Sequence, residues 1–482
     1  MAFDYDVVII GSGPAGFSCA MQSSKFDKKV LIIEADEDNL GGTWLNEGTV
    51  PSKALREAAK LIHRFHSQFG DEKGRKPYER FRMEDLMSYK QPVLEIKNQK
   101  VKEDIIKNKV DTARGHGHIV DKNTIEVKDQ LGNSTTYTTK NILISTGSRP
   151  KPPSNFEVDH TRVLDYTSIL GLTHIPRRLV IVGGGIITVE YATIFASLGT
   201  RVTILNDGNE LLPFLDEEIK SAVQNSLRKK NIQVFKNSKI RKVLRNDLRT
   251  CEEVRFTADG DKKVKVVETE HVLYIGGKVP NTDKIGLNNI NVKTDSEGYI
   301  AVNDTFKSSE ENIYAAGDVI GYPALASASF LQGRLASCAM FGTVEDQSSN
   351  EIPYGIYSLP EISGIGLTEE DAEKQGLDVT VGRAYYHNTT QADLNHQTEG
   401  ILKLVFRTDN LQLVGVHIFG DHATDLVHVG QSVMATKGTI KYFIERVLNY
   451  PTYSEAYKIA AFNGLNRVHK TGVKYKSILD KG

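Results

Sequence analysis

Near its start the chain runs through four consecutive apolar residues, Val7-Val8-Ile9-Ile10, into a glycine-rich turn at Gly11. An Ala- and Met-rich stretch follows, and then a second apolar run, Val30-Leu31-Ile32-Ile33, closing on Glu34. Short aliphatic runs bounded by turn residues have the length of buried strands, and the segment between them has the length of a helix. The pattern returns as Leu179-Val180-Ile181-Val182, a second glycine turn, a helix expected from about Val189 to Leu198, and the strand Val202-Thr203-Ile204-Leu205. Between the two units, Leu55, Ala58, Ile62 and Phe65 make an apolar stripe on a helix begun by Pro51-Ser52. A charged loop from Asp71 to Arg82 and a polar helix through Ile96 and Ile105 read as a solvated excursion. From Glu351 strands and helices alternate again. Repeated strand–helix–strand units predict an α/β chain with two Rossmann-like folds and a C-terminal α+β domain.

The first turn, Gly11-Ser12-Gly13-Pro14-Ala15-Gly16, has the GxGxxG spacing between a strand and a helix, which is the setting a dinucleotide site needs. Gly11 permits the tight turn, Gly13 lets backbone approach a pyrophosphate, and Gly16 lets helix and strand pack closely. Glu34 can accept hydrogen bonds from ribose hydroxyls. In the second turn, Gly183-Gly184-Gly185-Ile186-Ile187-Thr188, the third glycine is replaced, so the helix is expected slightly further from its strand. Glu34 stands 23 positions after Gly11, and the same step from Gly183 reaches Asn206, followed by Asp207 and Gly208. Asn206 can bond a ribose hydroxyl, and an inward Asp207 would repel a 2′-phosphate. No arginine lies between Asn206 and Leu212, which favours NADH over NADPH; an Asp207 turned to water would decide nothing.

Composition narrows the classes. A chain of 482 residues is long enough for three or four compact units. Its hydrophobic content of 39% and charged content of 25% are those of a soluble globular protein. A net charge of -1 gives no electrostatic case for nucleic acid or an anionic membrane. The start carries acid rather than a basic leader, and no apolar run reaches spanning length. Cys19, Cys251 and Cys338 are too scattered for a disulfide framework, and a reducing cytoplasm is expected. Cys19 reads as core. His116 and His118 form an H-x-H pair without a third ligand, and His417, His422 and His428 are given no catalytic role, so no metal is expected.

Further segments carry a resemblance. Gly41-Gly42-Thr43-Trp44-Leu45-Asn46-Glu47-Gly48-Thr49-Val50-Pro51-Ser52-Lys53 is similar to the active-site stretch of the flavoprotein pyridine nucleotide-disulfide oxidoreductases. Asn141 to Ser148, with Thr146-Gly147, resembles their strand-turn leaving the FAD domain. Ile313-Tyr314-Ala315-Ala316-Gly317-Asp318 resembles their second FAD motif, whose aspartate binds the ribityl chain. Within that family, Gly317 to Ser327, Ile352 to Tyr357 and Asn449 to Tyr457 most resemble the soluble, Si-specific pyridine nucleotide transhydrogenases.

The resemblance implies an FAD-binding domain over 1–153, an NAD-binding domain over 154–280, a return segment over 281–345 that completes the FAD domain, a dimerisation domain over 346–470 and a flexible tail over 471–482. Gly277 belongs to the crossover out of the NAD domain. It implies FAD and NAD(H) as cofactors, with NADP(H) as a further nucleotide, and a homodimer. Lys53 and Glu190 would pair beside the flavin's reactive nitrogen. Gly42, Thr43 and Thr49 would line the flavin.

Where the family has two cysteines, this chain has Trp44 and Thr49, and where the partner subunit's base would be histidine it has Tyr450, with Glu455 retained. Neither indole nor hydroxyl replaces a thiolate. Dithiol exchange is therefore excluded, and hydride is expected to pass from a nicotinamide through FAD directly to a second acceptor. The acceptor is either a second nicotinamide nucleotide or, in a diaphorase reading, a quinone or dye. A non-catalytic flavoprotein module is the third reading, which retention of Lys53, Glu190 and a full second nucleotide fold opposes. Trp44 either fills the space of an unused thiol or presents a flat face to an acceptor.

Overall fold

A computed structural model of the chain describes residues 2–36, 40–69, 79–88, 91–245, 252–342 and 352–470. Most of the charged loop from Asp71 to Arg82, Cys251, Glu351, the junction near 345 and the tail 471–482 lie outside the described residues. The chain divides into two compact units: residues 1–58, 82–174 and 276–347 form one, and 59–81, 175–275 and 348–482 the other.

The first unit is built on a sheet with the strand Tyr5–Ile10 at its centre, paired in parallel with Val30–Glu34 on one side and Ser134–Ile144 on the other. Asp111–Arg114 extends it beyond Val30–Glu34, and Ile313–Ala315 adds in parallel to Ser134–Ile144. The aliphatic runs are continuous because both faces are covered. Val7, Ile9, Val30, Ile32 and Leu143 pack on one side with Ala15, Cys19 and Ala20 of the helix Pro14–Lys25. Val8, Ile10, Leu31, Ile33, Ile142 and Ile144 face the other way, onto Ile119, Ile125 and Val127 of the antiparallel strands His116–Asp121 and Thr124–Lys128. Cys19 is core, as expected, and His116 and His118 are exposed. No group of His, Cys, Asp and Glu among the described residues could hold a metal.

The second unit has parallel strands in the order Gln233–Phe235, Arg201–Leu205, Arg178–Val182, His271–Tyr274. The helix after its glycine turn spans Ile186–Ser197, three residues earlier than the periodicity predicts, because the turn residues themselves enter the helix. A five-stranded antiparallel sheet, in the order Tyr354–Ile356, Glu361–Gly366, Leu413–Gly420, Ile401–Arg407, Val379–Tyr385, carries the helices Ala423–Ala435 and Glu455–Lys470. An ion cluster ties this sheet to the start of the helix Glu217–Lys229. Lys403, fully buried, holds Asp216 at 2.8 Å and Glu369 at 2.6 Å. Asp216 also caps the helix Glu217–Lys229 by accepting from the Glu218 N–H. A lysine buried this deeply keeps its charge only when carboxylates surround it. Burial works against the Lys403 charge, but the bonds to Asp216 and Glu369 outweigh it and raise its pKa.

The apolar stripe on the helix Thr49–Phe69 is buried at Leu55 and Ala58, but Phe65 and the neighbouring Leu61 are exposed. No described helix is long and apolar enough to cross a membrane.

Candidate functional site

In the first turn Gly11 holds φ +100°, and a Cβ there would lie 2.5 Å from the Ser145 carbonyl oxygen. At Gly16 a Cβ would overlap the Gly11 carbonyl, so helix and turn touch backbone to backbone. Gly13 differs from both. Its φ of -58° suits any residue, and a Cβ would meet nothing within 4 Å. The protein itself does not require glycine there, and the bare backbone faces open space at the start of the helix Pro14–Lys25. Such a position suits an approaching phosphate. Glu34 stands beside it, one oxygen accepting from the Ser12 N–H (2.9 Å) and hydroxyl (2.6 Å), the other from the Asp36 N–H (3.2 Å).

The second turn repeats the frame with different contents. Gly183 holds φ +144°, and its Cβ would lie 2.5 Å from the Ile275 carbonyl oxygen. Gly185, like Gly13, would meet nothing within 4 Å. Thr188 is fully buried in place of the third glycine, its hydroxyl without a hydrogen-bond partner among the described residues. Asn206 departs from expectation. It is 2% exposed, its amide donates to the Glu210 carbonyl (2.8 Å), and its amide oxygen accepts from the Gly208 N–H (3.1 Å). A Cβ on Gly184 would overlap that oxygen. The buried side chain braces its own loop. Asp207 is exposed next to it. Tyr274, at the end of the strand His271–Tyr274, has its phenol pushed up by burial and by the Asp207 charge.

Around the expected flavin motifs, Gly317 precedes Asp318, and one Asp318 oxygen accepts from the Ser148 hydroxyl (2.9 Å) and Lys278 (2.7 Å). Thr146 and Asn281 exchange two hydrogen bonds, Thr146 hydroxyl to Asn281 carbonyl and Asn281 amide to Thr146 carbonyl. These lock the Gly147 turn to the Gly277 crossover, where Lys278–Pro280 pairs with Ser148–Pro150. Lys278 and Ser148 directly follow Gly277 and Gly147, and the sequence alone gives neither of them a role. Tyr166 was missed too: burial, then the charges of Asp318, Asp165 and Glu47, push its phenol up. Glu47 lies between the two former cysteine positions, and burial with Asp165 and Asp36 nearby raises its carboxyl.

Trp44 lies in the short helix Thr43–Asn46, preceded by Gly42 at φ +69°. Its indole meets Phe330 edge-on, centroids 5.4 Å apart at 77°, and packs on the core of the first unit. The indole N–H is buried without an acceptor among the described residues. This is the geometry of a packed side chain rather than an open platform, and it favours the space-filling reading. Thr49 and Lys53 stand in the first turns of Thr49–Phe69. Glu190, 5% exposed, lies in the second unit and accepts from the Tyr357 N–H at 2.8 Å. Also in the second unit, the exposed Tyr450 shares a 2.8 Å hydrogen bond with the Thr390 hydroxyl, while the Thr390 N–H donates to Glu455 at 3.4 Å. Thr390, absent from the sequence reading, brings the two predicted residues together.

Both turns therefore fit a dinucleotide, each with a bare middle glycine opening onto space at a helix N-terminus. The profile of the pyridine nucleotide-disulphide oxidoreductases matches residues 5–333, and that of their dimerisation domain matches residues 352–461. The chain belongs to this family.

Family membership makes the chain an FAD-dependent NAD(P)H oxidoreductase. The chain is 40% identical to a soluble pyridine nucleotide transhydrogenase of a Marinomonas species over 96% of this chain and 99% of that protein. It is 37% identical to one of Pseudomonas aeruginosa over 97% and 99%, and 39% identical to one of Mycobacterium tuberculosis over 96% and 98%. Among solved structures, the HOCl-induced flavoprotein disulfide reductase RclA from Escherichia coli superposes with a TM-score of 0.84 at 22% identity, covering 95% of this chain and 99% of that one. LpdA from Mycobacterium tuberculosis does so with a TM-score of 0.85 at 22% identity, covering 95% and 98%. Within an oxidoreductase family named for disulphide chemistry, this member has Trp44 and Thr49 where the resemblance puts the redox cysteines.

Proposed function

We propose that the protein takes hydride from NADH and delivers it, without a redox disulfide, to a second nicotinamide nucleotide, as the names of its relatives suggest. The observation that carries this reading is the pair of middle glycines, Gly13 and Gly185, whose bareness serves no contact within the protein. Bound FAD supplies the two-electron acceptance and release, which no side chain of the protein can. The chain's own residues bind, orient and set charge. Gly11, Gly13, Gly16, Glu34, Gly42, Thr43, Thr49, Thr146, Gly147, Gly317 and Asp318 are assigned to FAD. Ser148 and Lys278 hold one Asp318 oxygen and so fix the direction of the other. Gly183, Gly185 and Gly277 are assigned to the nicotinamide nucleotide. Lys53 and Glu190 are assigned as the charged groups that act on hydride transfer, an ammonium near the flavin favouring its reduced, anionic form.

For the nucleotide, Asp207 replaces Asn206 as the residue proposed to face the ribose, because the Asn206 side chain is buried against its own loop while Asp207 is exposed. A carboxylate there accepts hydrogen bonds from a 2′-hydroxyl and repels a 2′-phosphate, which makes NADH the preferred donor. The same feature favours a second reading, an NADH diaphorase acting on quinones, since a transhydrogenase must accommodate a 2′-phosphate.

A homodimer is proposed from the dimerisation domain and from the apolar surface that it exposes, including Val447, Tyr450, Tyr442 and Phe462. Tyr450 and Glu455 would then reach the partner's site. A cytoplasmic location fits the buried thiols of Cys19 and Cys338.

Anaerobic reduction by NADH followed by acceptor challenge tests the function. Reoxidation by a nicotinamide analogue supports the transhydrogenase reading, and reoxidation by quinones alone supports the diaphorase. Failure of NADH and NADPH alike to bleach the flavin overturns both.

A further inference from the structure

At the opposite ends of the strands that lead into the second glycine turn lies a cleft of about 300 Å³. Its floor is one face of the parallel sheet. Arg178 and Arg201 are direct neighbours in register, as are Thr203 and Gln233. Residues two apart on a strand share a face, so Arg178 and Val180, Arg201 and Thr203, and Gln233 project together. Glu268, on the strand Lys265–Thr269, supplies part of the wall.

The charge here is unbalanced. Two guanidiniums side by side on neighbouring strands repel each other. Glu268 lies 3.5 Å from Arg178 and offsets one of them. Among the described residues no ion pair or hydrogen bond engages the Arg201 guanidinium, which is exposed. The Thr203 hydroxyl and Gln233 amide add uncharged donors on the same face. Paired guanidinium forks next to neutral donors match the oxygens of a phosphate or carboxylate group.

We propose that this cleft binds a small organic polyanion, a phosphomonoester or a di- or tricarboxylate, at a site separate from the nucleotide crevice. Nucleotides bind such sheets beyond the C-terminal strand ends. The cleft lies at the N-terminal ends, about 16 Å away along a five-residue strand. Its volume is at the lower limit for small-molecule sites, which excludes a whole dinucleotide.

The test is calorimetric titration of the FAD-loaded full chain at low salt with pyrophosphate and, separately, citrate, each with and without saturating NADH. The expected result is binding by one or both probes that NADH does not displace. Arg201→Gln should weaken it by at least about tenfold, and Arg178→Gln combined with Arg201→Gln should abolish it, with the thermal midpoint unchanged. Preference for pyrophosphate identifies a phosphate ligand and preference for citrate a carboxylate one. No binding of either probe at about 10 mM, equal binding by the double variant, or displacement by NADH overturns the proposal.

Discussion

The two glycine turns have the same frame and different occupants. Gly11 and Gly183 both take positive φ against a strand-end carbonyl, and Gly13 and Gly185 both face open space. The difference lies at the second position of each turn. Ser12 donates twice to Glu34, which fixes the carboxylate beside the open space. Gly184 has no side chain because Asn206 occupies the room it leaves, and Asn206 turns inward to its own loop. The residue at the end of the second strand is thus held beside open space in one fold, where ribose reading is proposed for it, and braces a loop in the other. The proposed ribose contact therefore passes one residue along, to the exposed Asp207. Equivalent spacing identifies equivalent positions without guaranteeing equivalent work.

The largest effect should come from filling the space that the turns share. Gly13→Val should yield folded protein almost devoid of flavin, and Gly185→Val should weaken NADH binding at least about 100-fold, because each side chain enters the phosphate's place. Flavin-to-protein absorbance and nucleotide titration measure these. A normal flavin content in Gly13→Val would show that the open space is not the pyrophosphate site.

Next, Gly184→Ala should cost about 1–3 kcal/mol of stability, since its Cβ meets the Asn206 oxygen and the loop must shift. Ser12→Ala should leave the fold intact and weaken FAD binding by about tenfold through Glu34. Denaturation curves for the first and flavin titration for the second would show the asymmetry, and matching behaviour in both folds would remove it.

A smaller effect is expected from Asp207→Asn, which removes charge and keeps shape. The ratio of kcat/KM for NADPH to that for NADH should rise about tenfold, as expected when one like charge near a phosphate is lost. Asn206→Asp would instead disturb the loop. An unchanged ratio in Asp207→Asn would exclude Asp207 as the ribose reader.

Away from both turns the expected effect is smallest. Burial, with Lys230 and His66 nearby, depresses His63 from its ordinary 6.5 to about 4. The folded state therefore takes up this proton later than the unfolded chain does. Its contribution to stability is complete above pH 6.5 and is lost as pH falls towards 4. His63→Gln should flatten the acid side of the stability profile while leaving neutral stability and both turns unaffected. An identical acid limb in the variant would exclude the effect.

Much of the fold was legible because its strands are continuous aliphatic runs, and their alternate residues, such as Val7 and Val8, do fall on opposite core faces. The glycine turns were legible because turn geometry and close approach restrict residue type, whereas Asp318 was singled out only by the resemblance of Ile313 to Asp318 to a family motif. What escaped the sequence depended on contacts distant in the chain. Nothing in the spacing tells that Asn206 would reach Glu210, that Lys278 and Ser148 would share one Asp318 oxygen, or that Thr390 would join Tyr450 to Glu455. The periodicity starts the helix after the second turn too late, because Ile186 to Thr188 of the turn themselves enter it.

Trp44 bears on the proposal that electrons pass through the flavin without a dithiol. With a packed indole and a hydroxyl where the resemblance puts the cysteines, that stretch has no dithiol to store a second electron pair. Anaerobic titration of the FAD-loaded protein with NADH, then with a chemical reductant, measures that store directly. The account predicts complete flavin reduction by one two-electron equivalent per chain, with no long-wavelength thiolate–flavin band. Uptake of a second equivalent, or the appearance of that band, would contradict it.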